Sequence, residues 1–231
     1  LGIKKIRLTG GEPLIKKNFE SIINQLGDLP ISIHITTNGV LLDKYFEALK
    51  RNKVEHLNIS LDTFDPEKFE KITRRKDFDR VLKNIHAAIA SKFKVKLNVV
   101  LMKGVNDDEI IDFINFGKSN AVSIRFIEFM PFKGNNWDIS QKVSEQEILR
   151  KVENHFGIAQ LTTLPLQPNA TANEFKINGF NGDFGIISTV TNPFCDTCNR
   201  IRLTADGKLK NCLFSQGETD LLAALRSNIP I

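Results

Sequence analysis

Residues 95–131 read VKLNVVLMKGVNDDEIIDFINFGKSNAVSIRFIEFMP. Val95–Leu101 and Ser123–Met130 are β-branched, alternating runs, each ending in polar residues, and the segment between them carries helical apolar spacing. A strand, a helix and a second strand at this spacing form a βαβ unit with a parallel strand pair. The same pattern recurs upstream. Strands are predicted over Lys4–Thr9, Ile31–Thr37 and His56–Asp62, with tips reading LTGGEP, TTNG and SLDT. Phe78, Val81, Leu82, Ile85, Ala88 and Ile89 form one helical face between the third and fourth strands. Five such strands suit a β/α barrel but are too few for a closed eight-stranded one, so either the barrel is partial or strands are missing upstream; its ligands would sit at the carboxyl ends of the strands.

Beyond residue 140 the period changes. Ser144 and Glu147 make a capping box, and Val143 with Ile148 a hydrophobic staple, for a helix running to about Phe156. Short strands are predicted over 158–164, 173–178, 184–190 and 200–212, with turns at Asn178-Gly179 and Asp206-Gly207. Two domains are therefore expected: the barrel over 1–140 and a smaller β-containing region over 141–231.

Cys195, Cys198 and Cys212 are all the cysteines of the chain, confined to 18 residues. Clustered thiols in odd number point to a metal site in a reducing, cytoplasmic setting. Zinc and an iron–sulfur cluster both suit thiolates. Structural zinc takes four protein ligands, yet the four histidines, His34, His56, His86 and His155, are remote in sequence. A 4Fe–4S cluster on three cysteines leaves one iron open to a substrate atom. Free structural cysteines are the third reading. Arg200 and Arg202 lie between the second and third cysteines; on a strand they share a face, fit either for phosphate or for water.

Net charge is +5 and the sequence pI about 9.1, which fits an anionic ligand or a generic basic surface. No run of about 18 apolar residues exists, so no membrane partner is expected. No separate nucleic-acid-binding module is visible either.

With these motifs in hand, the chain resembles the MoaA-type GTP 3′,8-cyclases of molybdenum cofactor biosynthesis, within the radical SAM (S-adenosylmethionine) superfamily. The resemblance rests on RLTGGEPL (7–14), TTNG (36–39), NISLDT (58–63), VKLNVVLMKGVNDDEI (95–110), IRFIEFMP (124–131) and the cysteine segment with NRIRLTADGKL. It implies a radical SAM lyase that converts GTP to 3′,8-cyclo-7,8-dihydro-GTP. SAM would be bound at Gly10, Gly11, Glu12, Ser60 and Met130. GTP would be bound at Arg7, Thr36, Lys96, Arg200, Ile201 and Arg202. The three cysteines would hold a second 4Fe–4S cluster. On residue type alone, core filling is the favoured reading of Met130, and Arg7 and Lys96 could pair with carboxylates such as Asp62 or Glu128.

The family's first cluster, which cleaves SAM, sits on a C-x3-C-x2-C loop. No cysteine precedes Cys195 here, so that loop and one barrel strand are expected upstream of Leu1, and the chain is expected to be an inactive fragment by itself. A helix ending near Ile231 suggests a cut C-terminus as well. The family has an aromatic pair where this chain has Ala172–Phe175, with only Phe175 aromatic. The resemblance also implies a reductase as electron donor, a downstream cyclic pyranopterin monophosphate synthase and a homodimer. Competing readings are a radical SAM enzyme acting on peptide or tRNA, and a zinc-binding interaction domain.

Overall fold

The computed structural model describes residues 2–131, 135, 137–215 and 217–227. Leu1, at the head of the expected first strand, and residues 228–231, at the end of the expected last helix, lie outside the described residues. In chain order the elements are β1 (Lys5–Leu8), α1 (Phe19–Gly27), β2 (Ser32–Thr37), α2 (Phe46–Arg51), β3 (His56–Ser60), α3 (Pro66–Thr73), α4 (Phe78–Ala90), β4 (Lys94–Leu101), α5 (Ile110–Ser119), β5 (Val122–Glu128), α6 (Glu145–Phe156), β6 (Leu161–Thr163), β7 (Asn173–Ile177), β8 (Asp183–Ile187), β9 (Arg202–Leu203), β10 (Lys208–Lys210), β11 (Thr219–Asp220) and α7 (Leu221–Arg226). The first five strands lie where the alternation predicts them, within about two residues at their ends.

One sheet runs β1-β2-β3-β4-β5-β8-β7-β6. β1 to β5 and β8 are parallel, and β7 and β6 are antiparallel additions. This is a partial β/α barrel sheet, left open. The division expected at residue 140 falls elsewhere, because the sheet runs through it. Helix α6 carries the chain back so that β8 pairs in parallel with β5. The compact units are Leu1–Pro193 and Phe194–Ile231. In the second unit β9, β10 and β11 form a small antiparallel sheet, with Gly207 at φ +83° in the turn between β9 and β10.

Among the described residues of the first unit, the helices pack their buried side chains on one face of the large sheet. On β4, Val95, Leu97, Val99 and Leu101 are buried, while Lys96, Asn98 and Val100 are half-exposed on the other face. Phe78, Val81, Ile85 and Ala88 of α4 are buried in the same core. An aromatic ladder crosses the expected boundary: Phe113 on α5 meets Phe126 on β5, Phe126 meets Phe184 on β8, and Phe184 stacks on Phe175 of β7. Each such contact contributes about 0.5–1.5 kcal/mol beyond burial. Phe175 is thus core, and its ring is spent on packing.

Helix α6 starts as its sequence dictates. Ser144 Oγ accepts from the Glu147 N–H, and Glu147 accepts from the Ser144 N–H at 2.8 Å. Lys103, ahead of the Ser144 N–H and hydroxyl, holds the Glu147 carboxyl down to about 2. The folded value lies below the unfolded one, so this stabilisation is complete above about pH 4.5 and is lost as pH falls toward 2. Ser144→Ala should cost about 1 kcal/mol in thermal or urea melts. Glu147→Gln should flatten the pH dependence of stability between pH 4.5 and 2.

Candidate functional site

The open face of the sheet is built by the pleat. Strand register lines up Thr36, Asn58, Lys96, Ser123 and Asp183 in one row across β2, β3, β4, β5 and β8. One row toward the strand tips, Ser60, Asn98, Arg125, Gly185 and Glu174 are aligned from β3 to β7. One row the other way, Arg7 stands opposite His34, and His34 opposite His56. The two imidazoles stack with centroids 4.2 Å apart and planes 4° from parallel. Burial first, then His56 and Arg7, pushes His34 down to about 3, so the stack is neutral at physiological pH.

The expected GTP residues of the first unit, Arg7, Thr36 and Lys96, therefore share one face, with Thr36 and Lys96 in one row. Lys96 does not pair with Asp62 or Glu128. Asp62 accepts the Val100 N–H at 2.8 Å, and Glu128 accepts the N–H groups of Val190 and Thr191. Among the described residues the Lys96 ammonium makes no ion pair or hydrogen bond. Burial, followed by the charge of Arg125, holds it below the usual lysine range.

The strand tips are braced by long-range carboxylate and amide contacts. Gly10 sits at φ +128°, a conformation open to glycine, in the turn after β1. Glu12 accepts from Thr37 Oγ1 at 2.7 Å, from the Asn38 N–H at 2.6 Å and from the Leu14 N–H at 3.1 Å. This ties the GGEP loop to the TTNG loop. The carboxylate expected to receive the SAM ammonium is thus already fixed by protein donors. A carboxylate has about four lone-pair sites, so one remains for a ligand.

At the tip of β3, Asn106 is fully buried. Its amide donates to Asp62 O at 2.7 Å and Val100 O at 2.9 Å and accepts from the Met102 N–H at 2.8 Å. Glu109 accepts from Thr63 Oγ1, the Phe64 N–H and Lys68. Burial pushes the Asp62 carboxyl up to about 6. After β5, Met130 O accepts from Asn135 Nδ2 at 2.7 Å, and Phe129 O from Trp137 Nε1 at 2.9 Å. Of the expected SAM residues, Gly10, Gly11, Glu12, Ser60 and Met130 all lie at or just beyond the carboxyl ends of β1, β3 and β5.

In the second unit, Cys195 and Cys198 share one turn, closed by the Cys198 N–H donating to Cys195 O at 3.1 Å. Cys212 follows β10, on the far side of the hairpin. All three thiols are free and exposed, a donor chemistry that fits an iron–sulfur cluster. Their arrangement is less complete: among the described residues no group of three or more His, Cys, Asp or Glu side chains is gathered as a metal site. Arg202 lies on β9, but Arg200 precedes it, so no strand pleat fixes the two on one face. The Arg200 guanidinium instead covers the Phe194 ring, 5.0 Å from its centroid. Ile201 lines a cleft of about 410 Å³ with Leu209, Lys210, Asn211, Ser215 and Glu218.

The radical SAM superfamily matches residues 1–117, and the Molybdenum Cofactor Synthesis C family matches residues 122–230. The chain is 40% identical to the GTP 3′,8-cyclase of Alkaliphilus metalliredigens, over 98% of this chain and 70% of that protein. This chain belongs to the GTP 3′,8-cyclase family of radical SAM proteins. It is 43% identical to molybdenum cofactor biosynthesis protein 1 of Drosophila melanogaster, over 97% of this chain and 40% of that protein. Identity to the mitochondrial GTP 3′,8-cyclase of Arabidopsis thaliana is 45%, over 98% and 58%. The chain thus spans less than two thirds of the length of these two relatives. In fold it is similar to SuiB of Streptococcus suis, with TM-score 0.66 at 15% identity over 97% of this chain and 54% of that one. It is also similar to TYW1 with a lysine-pyruvate adduct bound, with TM-score 0.56 at 17% identity over 76% and 57%. No helix among the described residues is long and apolar enough to cross a membrane.

Sequence reasoning passed over His34, His56, Asn58, Asn98, Arg125 and Glu174 as members of the open face of this GTP 3′,8-cyclase relative. Strand alternation was the signal that could have found four of them: His34, His56, Asn58 and Asn98 each lie an even number of residues from Thr36, Ser60 or Lys96 on the same strand, whereas Arg125 and Glu174 join them only through the pairings of β5, β8 and β7. Asn106→Ala removes three hydrogen bonds at a fully buried position and should cost about 2–4 kcal/mol. Urea denaturation is the check.

Proposed function

We propose that this chain binds GTP and SAM across the open face and strand tips of its sheet, and that it acts in converting GTP to 3′,8-cyclo-7,8-dihydro-GTP, the first step of molybdenum cofactor biosynthesis. The observation that carries the reading is Lys96. It is a half-buried ammonium with no ion pair among the described residues, in one row with Thr36. A half-buried cation with no ion pair carries a desolvation cost, and a bound polyphosphate offsets it. Arg7, one row below Thr36 on the adjacent β1 and three strands from Lys96, adds a second cation on the same face.

At the other end of the strands, the GGEP turn offers backbone groups and the remaining acceptor site of Glu12 to the methionyl ammonium of SAM. Ser60 and the backbone of Met130 extend that site across β3 and β5. A reduced cluster and SAM supply the radical that opens such a reaction. The chain's part is to hold the ribose against it and to exclude water.

Cys195, Cys198 and Cys212 are proposed as ligands of a second 4Fe–4S cluster, with Arg200, Ile201 and Arg202 contributing to GTP binding. Support comes from the thiolate chemistry and the C-x2-C turn. A reducing, cytoplasmic setting, a reductase, a downstream cyclic pyranopterin monophosphate synthase and a homodimer complete the reading.

Calorimetric titration of GTP tests the assignment. Lys96→Met, Arg200→Ala and Arg202→Ala should each weaken binding about tenfold or more, the scale of a lost buried charge contact. Unchanged affinity in all three would overturn the GTP assignment. Anaerobic reconstitution should load about four iron per chain, and Cys212→Ser should abolish it; stoichiometric zinc without iron would favour an interaction module instead.

A further inference from the structure

Arg125 is the most buried cation on the open face, and it already has an acidic partner. Its guanidinium donates to Glu174 on β7, although β8 lies between them. The register explains the reach. Arg125 stands opposite Gly185 on β8, and Gly185 stands opposite Glu174. A Cβ at residue 185 would lie 3.3 Å from Arg125 Cδ and 3.1 Å from Ala172 Cβ. Bare backbone at that point leaves room for the arginine to cross the strand. On its other side, Arg125 Nε donates to Ser123 Oγ at 3.4 Å, and that hydroxyl donates to Asp183.

The two partners differ in freedom. The Arg125 side chain is 9% exposed and that of Glu174 is 27% exposed. The guanidinium is therefore held, and the carboxylate is the member able to leave for water. On the adjacent strand stands Lys96, which feels Arg125 as repulsion and Glu174 and Asp183 as attraction.

We propose that Glu174 is a built-in counter-ion that occupies Arg125 until a nucleotide polyphosphate displaces it. This rests on the reading of the open face as the nucleotide site. A buried guanidinium stripped of its partner is strongly disfavoured, so Glu174 stays on it when the site is empty. A polyphosphate presents several anionic oxygens to the same planar fork and to Lys96 together. A singly or doubly charged phosphate reaches fewer of these donors and does not displace the carboxylate. Glu174 thereby sets a charge threshold that selects polyphosphates over orthophosphate.

The test is titration of the 231-residue chain with tripolyphosphate and with inorganic phosphate at fixed ionic strength. The wild type should bind tripolyphosphate and not phosphate, and Lys96→Met should weaken tripolyphosphate about tenfold. Glu174→Gln should bind tripolyphosphate about tenfold more tightly and gain measurable phosphate binding. Its ligand-free melting temperature should fall while its shift on adding tripolyphosphate grows. A merely structural Glu174 gives the opposite sign, with affinity lowered along with stability. Equal or weaker tripolyphosphate binding by Glu174→Gln, with Lys96→Met still impaired, overturns the counter-ion while leaving the site. A wild type indifferent to tripolyphosphate overturns both. Should Glu174→Gln not fold, Glu174→Asp, shorter by one methylene, must show the same direction of change.

Discussion

A parallel sheet covered by helices on a single face imposes a sorting rule on every strand. Alternate side chains enter a dry core, and their neighbours enter an open trough. β4 obeys it strictly: Val95, Leu97, Val99 and Leu101 point to the helices, and Lys96, Asn98 and Val100 to the trough. The apolar set supplies the stability that fixes the register. Register in turn delivers Thr36, Asn58, Lys96, Ser123 and Asp183 to one line. The polar row is a by-product of core packing, and its precision is that of the core.

The trough would be a poor site if its rims moved. Three carboxylates and one amide prevent this. Glu12 links the loops after β1 and β2, Glu109 and Asn106 fold the NDDE segment onto the tip of β3, and Glu128 holds Val190 and Thr191 beside the end of β5. All four are held by donors or acceptors within the protein, Glu12 keeping one acceptor site open, so ligands meet a site already ordered.

Much of this was legible beforehand, for physical reasons. Period-two patterns placed five strands, because burial on one face leaves a strong alternation. Ser144 and Glu147 announced α6, because a capping box is local. The pairing of β8 with β5 was hidden: nothing in DFGII names its partner, and a short apolar strand reads alike at the end of a small appendage or inside a large sheet. Arg125 and Glu174, 49 residues apart, meet only once that pairing exists. The cysteines show the reverse case. Their spacing spoke clearly for a metal, while the fold closes the Cys195–Cys198 turn and leaves Cys212 beyond a hairpin.

The clasp of Glu128 on Val190 and Thr191 also says where this polypeptide can be divided. A piece ending at Pro193 keeps β8, the aromatic ladder and both residues that the carboxylate grips. A piece ending near residue 140 would strip β8 from β5, baring a row of backbone donors and acceptors along the middle of a sheet and inviting strand-to-strand association between copies. The natural seam for dissecting the molecule is therefore the short stretch Asn192–Phe194.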